Sequence, residues 1–185
     1  MKITKKETAY QGYYRLQVFT VEDKGKEFER EVFQTGRAAA ALVYDTKKQK
    51  FILAKQFRPA VEQEMVEAVA GMLDSADEKP EAAIRREIEE EIGYAVDHLQ
   101  LLYEYFPSPG AFSEQMFLFY AEVSEKTGEG GGKDDENEDI TTLELTPEQL
   151  VKQPITDGKT ILAIEWAKAN LLPKLKEQKN GKKSS

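Results

Sequence analysis

The sequence predicts a mixed α/β domain, and three observations carry that reading. Short apolar and β-branched runs dominate the first third of the chain. The apolar period then changes to that of a helix between residues 83 and 92, and strand-like runs followed by helical ones fill the remainder. A length of 185 residues suits one compact domain.

In chain order, residues 13–21 are rich in aromatic and β-branched types, residues 22–26 supply a polar turn, and 28–33 form a second extended run. This makes residues 1–35 an N-terminal β-region. Runs 38–44 and 51–56 flank the polar turn 45–50, and 65–70 is another apolar run; all suit buried strands of a main domain over 36–173. Ala83, Ile84, Ile88 and Ile92 then recur at three- and four-residue steps. Pro80 stands in the first turn and Gly93 follows as a stop, which predicts a helix of about three to four turns. Residues 99–106, 116–123 and 140–145 read as strands, Thr146-Pro147-Glu148 opens a short helix, and 158–172 reads as a longer one. The last twelve residues, 174–185, carry five Lys against one Glu and are expected to be a flexible basic tail.

Composition excludes several chemistries. The formal charge is −8, and without the basic tail the body carries −12, a surface that repels nucleic-acid backbones. No cysteine occurs and His98 is the single histidine, so disulfides, thiolate metal sites, Cys nucleophiles and His-rich metal cages are all absent. His98 and Trp166 read as structural. Any catalysis must rest on carboxylates, Arg and Lys. The N-terminus has no apolar signal-like stretch, and the longest purely apolar run, 38–44, is far short of a membrane span, so no membrane partner and a cytoplasmic location are expected.

The most informative segment lies on the predicted helix. Glu87, Glu90 and Glu91 stand at i, i+3 and i+4, crowded on one side beside the apolar stripe Ile84, Ile88 and Ile92. Like charges at that spacing repel by a few tenths of a kcal/mol per pair unless a cation lies between them, and hard oxygen donors suit Mg²⁺ or Mn²⁺. Arg86, four residues before Glu90, can pair with it, and Glu78 at the helix start can hold the same guanidinium. Taken alone, the segment reads equally well as a solvated acidic face, Glu being a good helix former.

Spacing shifts the balance. Gly71, Glu78, Arg86, Glu87, Ile88, Glu90, Glu91, Gly93 and Tyr94 resemble the Nudix box, G-x5-E-x7-R-E-U-x-E-E-x-G-U with U apolar. The match is complete from Glu78 onward. One departure exists: six residues rather than five separate Gly71 from Glu78, and the extra residue is expected to bulge outward from the loop. The resemblance covers roughly residues 10–172 and is nearest to the nucleoside-diphosphate-sugar branch, the ADP-ribose pyrophosphatases and GDP-mannose hydrolases. It implies an α/β/α sandwich with a mixed sheet, a homodimer formed through the N-terminal β-region, and Mg²⁺-dependent hydrolysis of a pyrophosphate bond to a nucleoside monophosphate and a sugar phosphate. The alternatives are a nucleoside-triphosphate or dinucleotide pyrophosphohydrolase, and a non-catalytic nucleotide-sugar-binding module with the same fold.

The resemblance also implies roles. Glu87, Glu91 and the carbonyl of Ala70 would ligate metal, with Glu90 beside them. The acidic stretch 134–139 resembles the loop that supplies the family's general base, assigned to Glu136, with Glu138 as a further metal contact. Read from composition alone, that stretch is a solvated loop after Gly130, Gly131 and Gly132; an EF-hand fits poorly because Ile140 stands where the sixth-position glycine belongs. Under the resemblance the three glycines become a hinge for the base. Arg58 in Gln56-Phe57-Arg58-Pro59 would address the substrate diphosphate, and Glu114 after Ser108-Pro109-Gly110 would contact substrate. In the GDP-mannose group, Tyr13, Arg30, Glu31 and Lys159 match nucleotide- or phosphate-contacting positions, some donated across the dimer. Tyr13 is otherwise a strand aromatic, and Asp157-Gly158-Lys159-Thr160 otherwise a helix start.

Overall fold

The computed structural model describes residues 1–132 and 139–181, with side chains to 177. The N-terminal region is a three-stranded antiparallel meander, β1 (Lys2–Gln11), β2 (Arg15–Asp23) and β3 (Lys26–Gln34), in that spatial order. Lys24 and Gly25 join β2 to β3 with φ of 51° and 76°; two positive φ angles are what the tight type I′ hairpin turn requires. β1 escapes the sequence reading because its Lys, Glu and Thr residues leave both of its faces exposed, with no apolar alternation to reveal it. Only Phe19 and Val21 of these three strands are buried.

Gly36, at φ 85°, turns the chain into the core sheet. Its strands are β4 (Arg37–Asp45), β5 (Lys50–Arg58), β6 (Gln63–Glu67), β7 (Val69–Met72), β8 (Tyr94–Tyr105), β9 (Gln115–Lys126) and β10 (Thr141–Leu145). The order is β10-β5-β4-β9-β8, with β6 also paired to β5 and β7 to β4. β4 and β9 run parallel and the other pairs antiparallel, so the sheet is mixed. Helix α1 (Pro80–Ile92) covers one face; α2 (Pro147–Lys152), α3 (Gly158–Asn170) and α4 (Leu172–Gly181) lie against the other. The result is the three-layer α/β/α arrangement.

The period of two along β4 sorts the core. Ala39, Ala41 and Val43 join Ile84, Ile88 and Ile92 of α1, whereas Ala38, Ala40, Leu42 and Tyr44 join Ala163, Ile164 and Ala167 of α3. Four consecutive alanines at the centre of the sheet bring both helices close to the β4 backbone. α1 begins with Pro80 at its first position and ends at Gly93, which at φ 74° adopts the left-handed C-cap and donates its N–H to the Glu89 carbonyl at 3.0 Å.

The extra residue before Glu78 is absorbed in an exposed turn at residues 74–77. Glu78 accepts from the Asp74 N–H at 2.5 Å and its own N–H reaches Ser75 Oγ at 3.1 Å, while Arg37 holds the Ala76 carbonyl at 2.9 Å. The insertion therefore closes on itself outside the core. The expectation of a solvated tail from 174 is corrected for its first part: the backbone is helical to Gly181. Leu172 is buried and Leu175 packs on the same core cluster, giving the basic segment an apolar edge to dock.

Candidate active site

The carboxylate side of α1 faces β7 and the loop that follows it. Glu87 and Glu91 are both buried, at 9% and 2% exposure, which for carboxylates demands charge compensation. Gly71 on β7 is what makes room: a Cβ there would land on the Glu87 carboxyl group. Arg86 binds the surrounding acids together. Its Nη1 donates to Glu87 at 2.7 Å and to Glu90 at 3.1 Å, its Nη2 to the Met72 carbonyl at 3.1 Å, and its Nε lies 3.6 Å from Glu78. The pairing of Arg86 with Glu90 is thus a hydrogen bond and that with Glu78 an ion pair without one, and a bond to the strand that carries Gly71 is added.

The glycines at 130–132 do something other than the hinge expected of them. All have positive φ, and the N–H groups of Gly131 and Gly132 donate to the carbonyls of Glu91 and Glu90 at 2.8 and 3.2 Å, while Thr127 and Gly128 donate to the Gly93 carbonyl at 2.7 and 3.1 Å. These bonds satisfy the otherwise unpaired carbonyls at the end of α1. The glycines are a clasp on the carboxylate helix. Glu136 and Glu138 lie outside the described residues.

A cavity of about 580 Å³ opens beside Gly71. Ala70, Gly71, Arg58, Glu114 and Lys159 line it, so five of the residues singled out from sequence meet there. Glu114 is set by the loop before it, which is pinned to the end of β3: Phe33 N–H donates to the Ala111 carbonyl at 2.8 Å and Ser113 N–H to the Phe33 carbonyl at 2.9 Å. Tyr13, Arg30 and Glu31 are not brought to the cavity of their own chain. Tyr13 is 88% exposed, stacked edge-on against Tyr14 at 4.8 Å, and Arg30 lies over the Phe28 ring at 4.4 Å. Tyr14 lines the cavity instead, as does Tyr105, whose phenol is pushed up to about 12 by burial with Asp157 and Glu114 nearby and so stays a neutral hydroxyl.

The sequence reading gave no role to Glu67. It lies on the cavity wall at 2% exposure and accepts from Arg58 Nε at 2.8 Å, Arg58 Nη2 at 2.9 Å and Lys159 Nζ at 2.5 Å. Burial alone would raise this carboxyl, but the Arg58 hydrogen bonds and the Lys159 ammonium outweigh it and bring the group down to about 2. Lys159 also reaches Asp157 at 3.0 Å. Asp157 caps α3 by accepting from the Thr160 N–H at 2.9 Å, and the Thr160 hydroxyl accepts from the Ala68 N–H at 2.7 Å. The sequence points to Arg58, Lys159 and the helix start at 157–160 separately, but not to the Glu67 carboxylate that joins them across some ninety residues.

The donor set fits a hard divalent cation. Glu87, Glu90, Glu91 and the Ala70 carbonyl offer oxygen alone, and the bare Gly71 Cα leaves the Glu87 carboxylate space beside β7. Among the described residues no three acids stand already gathered as a metal cage, consistent with Arg86 holding Glu87 and Glu90 in this arrangement.

Comparison with known proteins agrees with this fold. The NUDIX domain family model matches residues 34–179. A GDP-mannose pyrophosphatase of Escherichia coli (strain K12) is 35% identical over 176 residues, covering 87% of this chain and 91% of that protein. The GDP-mannose pyrophosphatase of Citrobacter koseri is 36% identical over 154 residues, covering 78% and 80%. A crystal structure of an ADP compounds hydrolase superposes with a TM-score of 0.75 at 20% identity over 92% of this chain and 95% of the other, which speaks to the fold. With the box on α1, the three-layer fold and relatives of this similarity along most of its length, the chain belongs to the Nudix family of hydrolases.

Proposed function

We propose that the protein hydrolyses the pyrophosphate bond of nucleoside-diphosphate sugars of the GDP-mannose or ADP-ribose type, releasing a nucleoside monophosphate and a sugar phosphate. The observation that carries this reading is that two cations, Arg58 and Lys159, line one cavity with Gly71, the residue against which the buried Glu87 carboxylate of α1 sits. Permanent cations suit phosphoryl oxygens, and Arg adds a planar fork. Glu87, Glu91 and the Ala70 carbonyl would hold Mg²⁺, for which Mn²⁺ could substitute, with Glu90 next to them on α1 and Glu138 assigned a further metal contact. The bound ion supplies charge neutralisation on the phosphate oxygens.

Around it the chain's own groups act. Arg58 and Lys159 orient the diphosphate, Glu114 and the Tyr105 hydroxyl address the remainder of the ligand, and Glu136 takes the proton of the attacking water. The phosphorus–oxygen bond to the leaving phosphate breaks as the water oxygen bonds to phosphorus, and no covalent enzyme intermediate is needed. A second copy of the chain completes the site with Tyr13, Arg30 and Glu31, supported by the exposed aromatics Tyr10 and Phe33 on the N-terminal sheet and Tyr13 in the turn between β1 and β2. Among the described residues no helix is long and apolar enough to cross a membrane, and a cytoplasmic location suits a nucleotide-sugar substrate.

The test is a panel of GDP-mannose, ADP-ribose, ADP-glucose, a dinucleoside polyphosphate and a deoxynucleoside triphosphate in Mg²⁺, with products identified. Cleavage of a nucleotide sugar to monophosphate and sugar phosphate, abolished by Glu91→Gln in a folded protein, is expected. Pyrophosphate release from the triphosphate alone would move the assignment to that class. Tight binding of a nucleotide sugar without turnover would make the protein a sensor.

A further inference from the structure

The two cations of the cavity come from distant parts of the chain, Arg58 from the end of β5 and Lys159 from the first turn of α3, yet both end on one carboxylate. Glu67 cannot swing away to release them. Its side chain is 3% exposed, its strand β6 is hydrogen-bonded to β5 with Ala54 opposite Glu67, and the next residue, Ala68, is held by Thr160 of α3. The bonds it makes also leave donors to spare. A guanidinium has five N–H groups and an ammonium three. Glu67 takes two from Arg58, and Glu67 with Asp157 takes two from Lys159, so the Arg58 Nη1 end and one Lys159 N–H remain for a ligand. Two carboxylates and two cations sum to zero charge, so what the wall offers an anion is donor geometry, not net attraction.

We propose that Glu67 is a positioning residue that fixes Arg58 and Lys159 as a matched pair, so that the cavity prefers a ligand with two linked phosphoryl groups over a ligand with one. This rests on the pyrophosphatase reading above and gives it a physical basis for releasing monophosphate products: a single phosphoryl group engages one cation of the pair, a diphosphate both. Replacement by Gln leaves the shape but turns an N–H₂ toward one of three facing donors, so one cation loses its place.

The experiment compares α,β-methylene-ADP, which cannot be cleaved at its bridge, with AMP by calorimetry in Mg²⁺ buffer. Wild type should bind the diphosphate at least about tenfold more tightly. In Glu67→Gln that preference should shrink to within about threefold, chiefly by loss of diphosphate affinity, while Glu67→Asp, which keeps the charge, should recover part of it. Turnover of the nucleotide sugar should fall mainly through KM, not kcat. Adding Lys159→Met to Glu67→Gln should cost little further preference, because the two act through one contact. A folded Glu67→Gln protein with undiminished preference overturns the role of Glu67 and leaves the functional reading intact. A wild type that does not distinguish the two ligands overturns the proposal, whereas the functional reading stands or falls on the hydrolysis panel above. Independently of any variant, the Arg58 Nε–H resonance of arginine-labelled wild type should exchange slowly with solvent both free and with α,β-methylene-ADP bound. Its release on binding would make Glu67 a competitor of the ligand and refute the proposal.

Discussion

The Glu87 carboxyl group occupies the space that a side chain at Gly71 would fill. A glycine on one strand thus fixes how near a helix can bring its acid, although fifteen residues and an exposed turn separate them. Gly71→Ala should force Glu87 off its position or push α1 from β7. We expect a stability loss of about 1–3 kcal/mol in chemical denaturation and a fall in turnover of about a hundredfold, as for displaced catalytic groups generally.

Glu136→Gln should lower kcat by about 10²–10⁴ with a much smaller change in KM, because a general base acts in the transition state. Steady-state kinetics on the cleaved nucleotide sugar decides this. A loss confined to KM would return Glu136 to the ranks of binding residues.

The Glu67 carboxyl lies at about 2 in the folded protein against an ordinary value of 4.5, so the unfolded chain binds the proton more readily. Its contribution is then fully present above about pH 4.5 and is lost as pH falls toward 2. Urea unfolding of wild type and Glu67→Gln from pH 7 down to 3 should show a wild-type advantage of a few kcal/mol near neutrality that narrows across the acid range. An advantage independent of pH would mean that packing, not charge, sets the cost of the substitution.

Gly130 stands at φ 72°, and a Cβ there would meet the Glu91 carbonyl and the Ile92 backbone. Gly130→Ala should therefore weaken the clasp on α1 and lower stability by about 1–3 kcal/mol. Thermal unfolding measures this. Amide hydrogen exchange at Gly131 and Gly132 should rise in the variant, whereas Gly110→Ala, with open space around its Cβ position, should leave both unchanged.

Local patterns made much of the fold legible. Ile84, Ile88 and Ile92 give α1 its period, Pro80 and Gly93 its ends, and the apolar runs at 38–44 and 51–56 their strands. β1 was invisible because a strand exposed on both faces needs no apolar residues, and α4 because its basic charge masks the few leucines that dock it. In the site, the spacing of Glu87, Glu90 and Glu91 was readable since helical neighbours lie three and four apart. The bonding of Glu67 to both Arg58 and Lys159 was not, since no local rule links a strand carboxylate to a lysine in the first turn of a helix near the other end of the chain. Three glycines in a row at 130–132 suggest freedom, but the hydrogen bonds of Gly131 and Gly132 to Glu91 and Glu90 make them a fixture.

The four alanines at 38–41 leave little more than methyl groups and backbone between α1, which bears the acids, and α3, which bears Lys159. So thin a partition transmits displacement. A larger residue at Ala39 or Ala41 would drive α1 outward, and one at Ala38 or Ala40 would crowd the opposite layer, so substitutions that touch no ligand can still pull the acid and cationic halves of the cleft out of alignment.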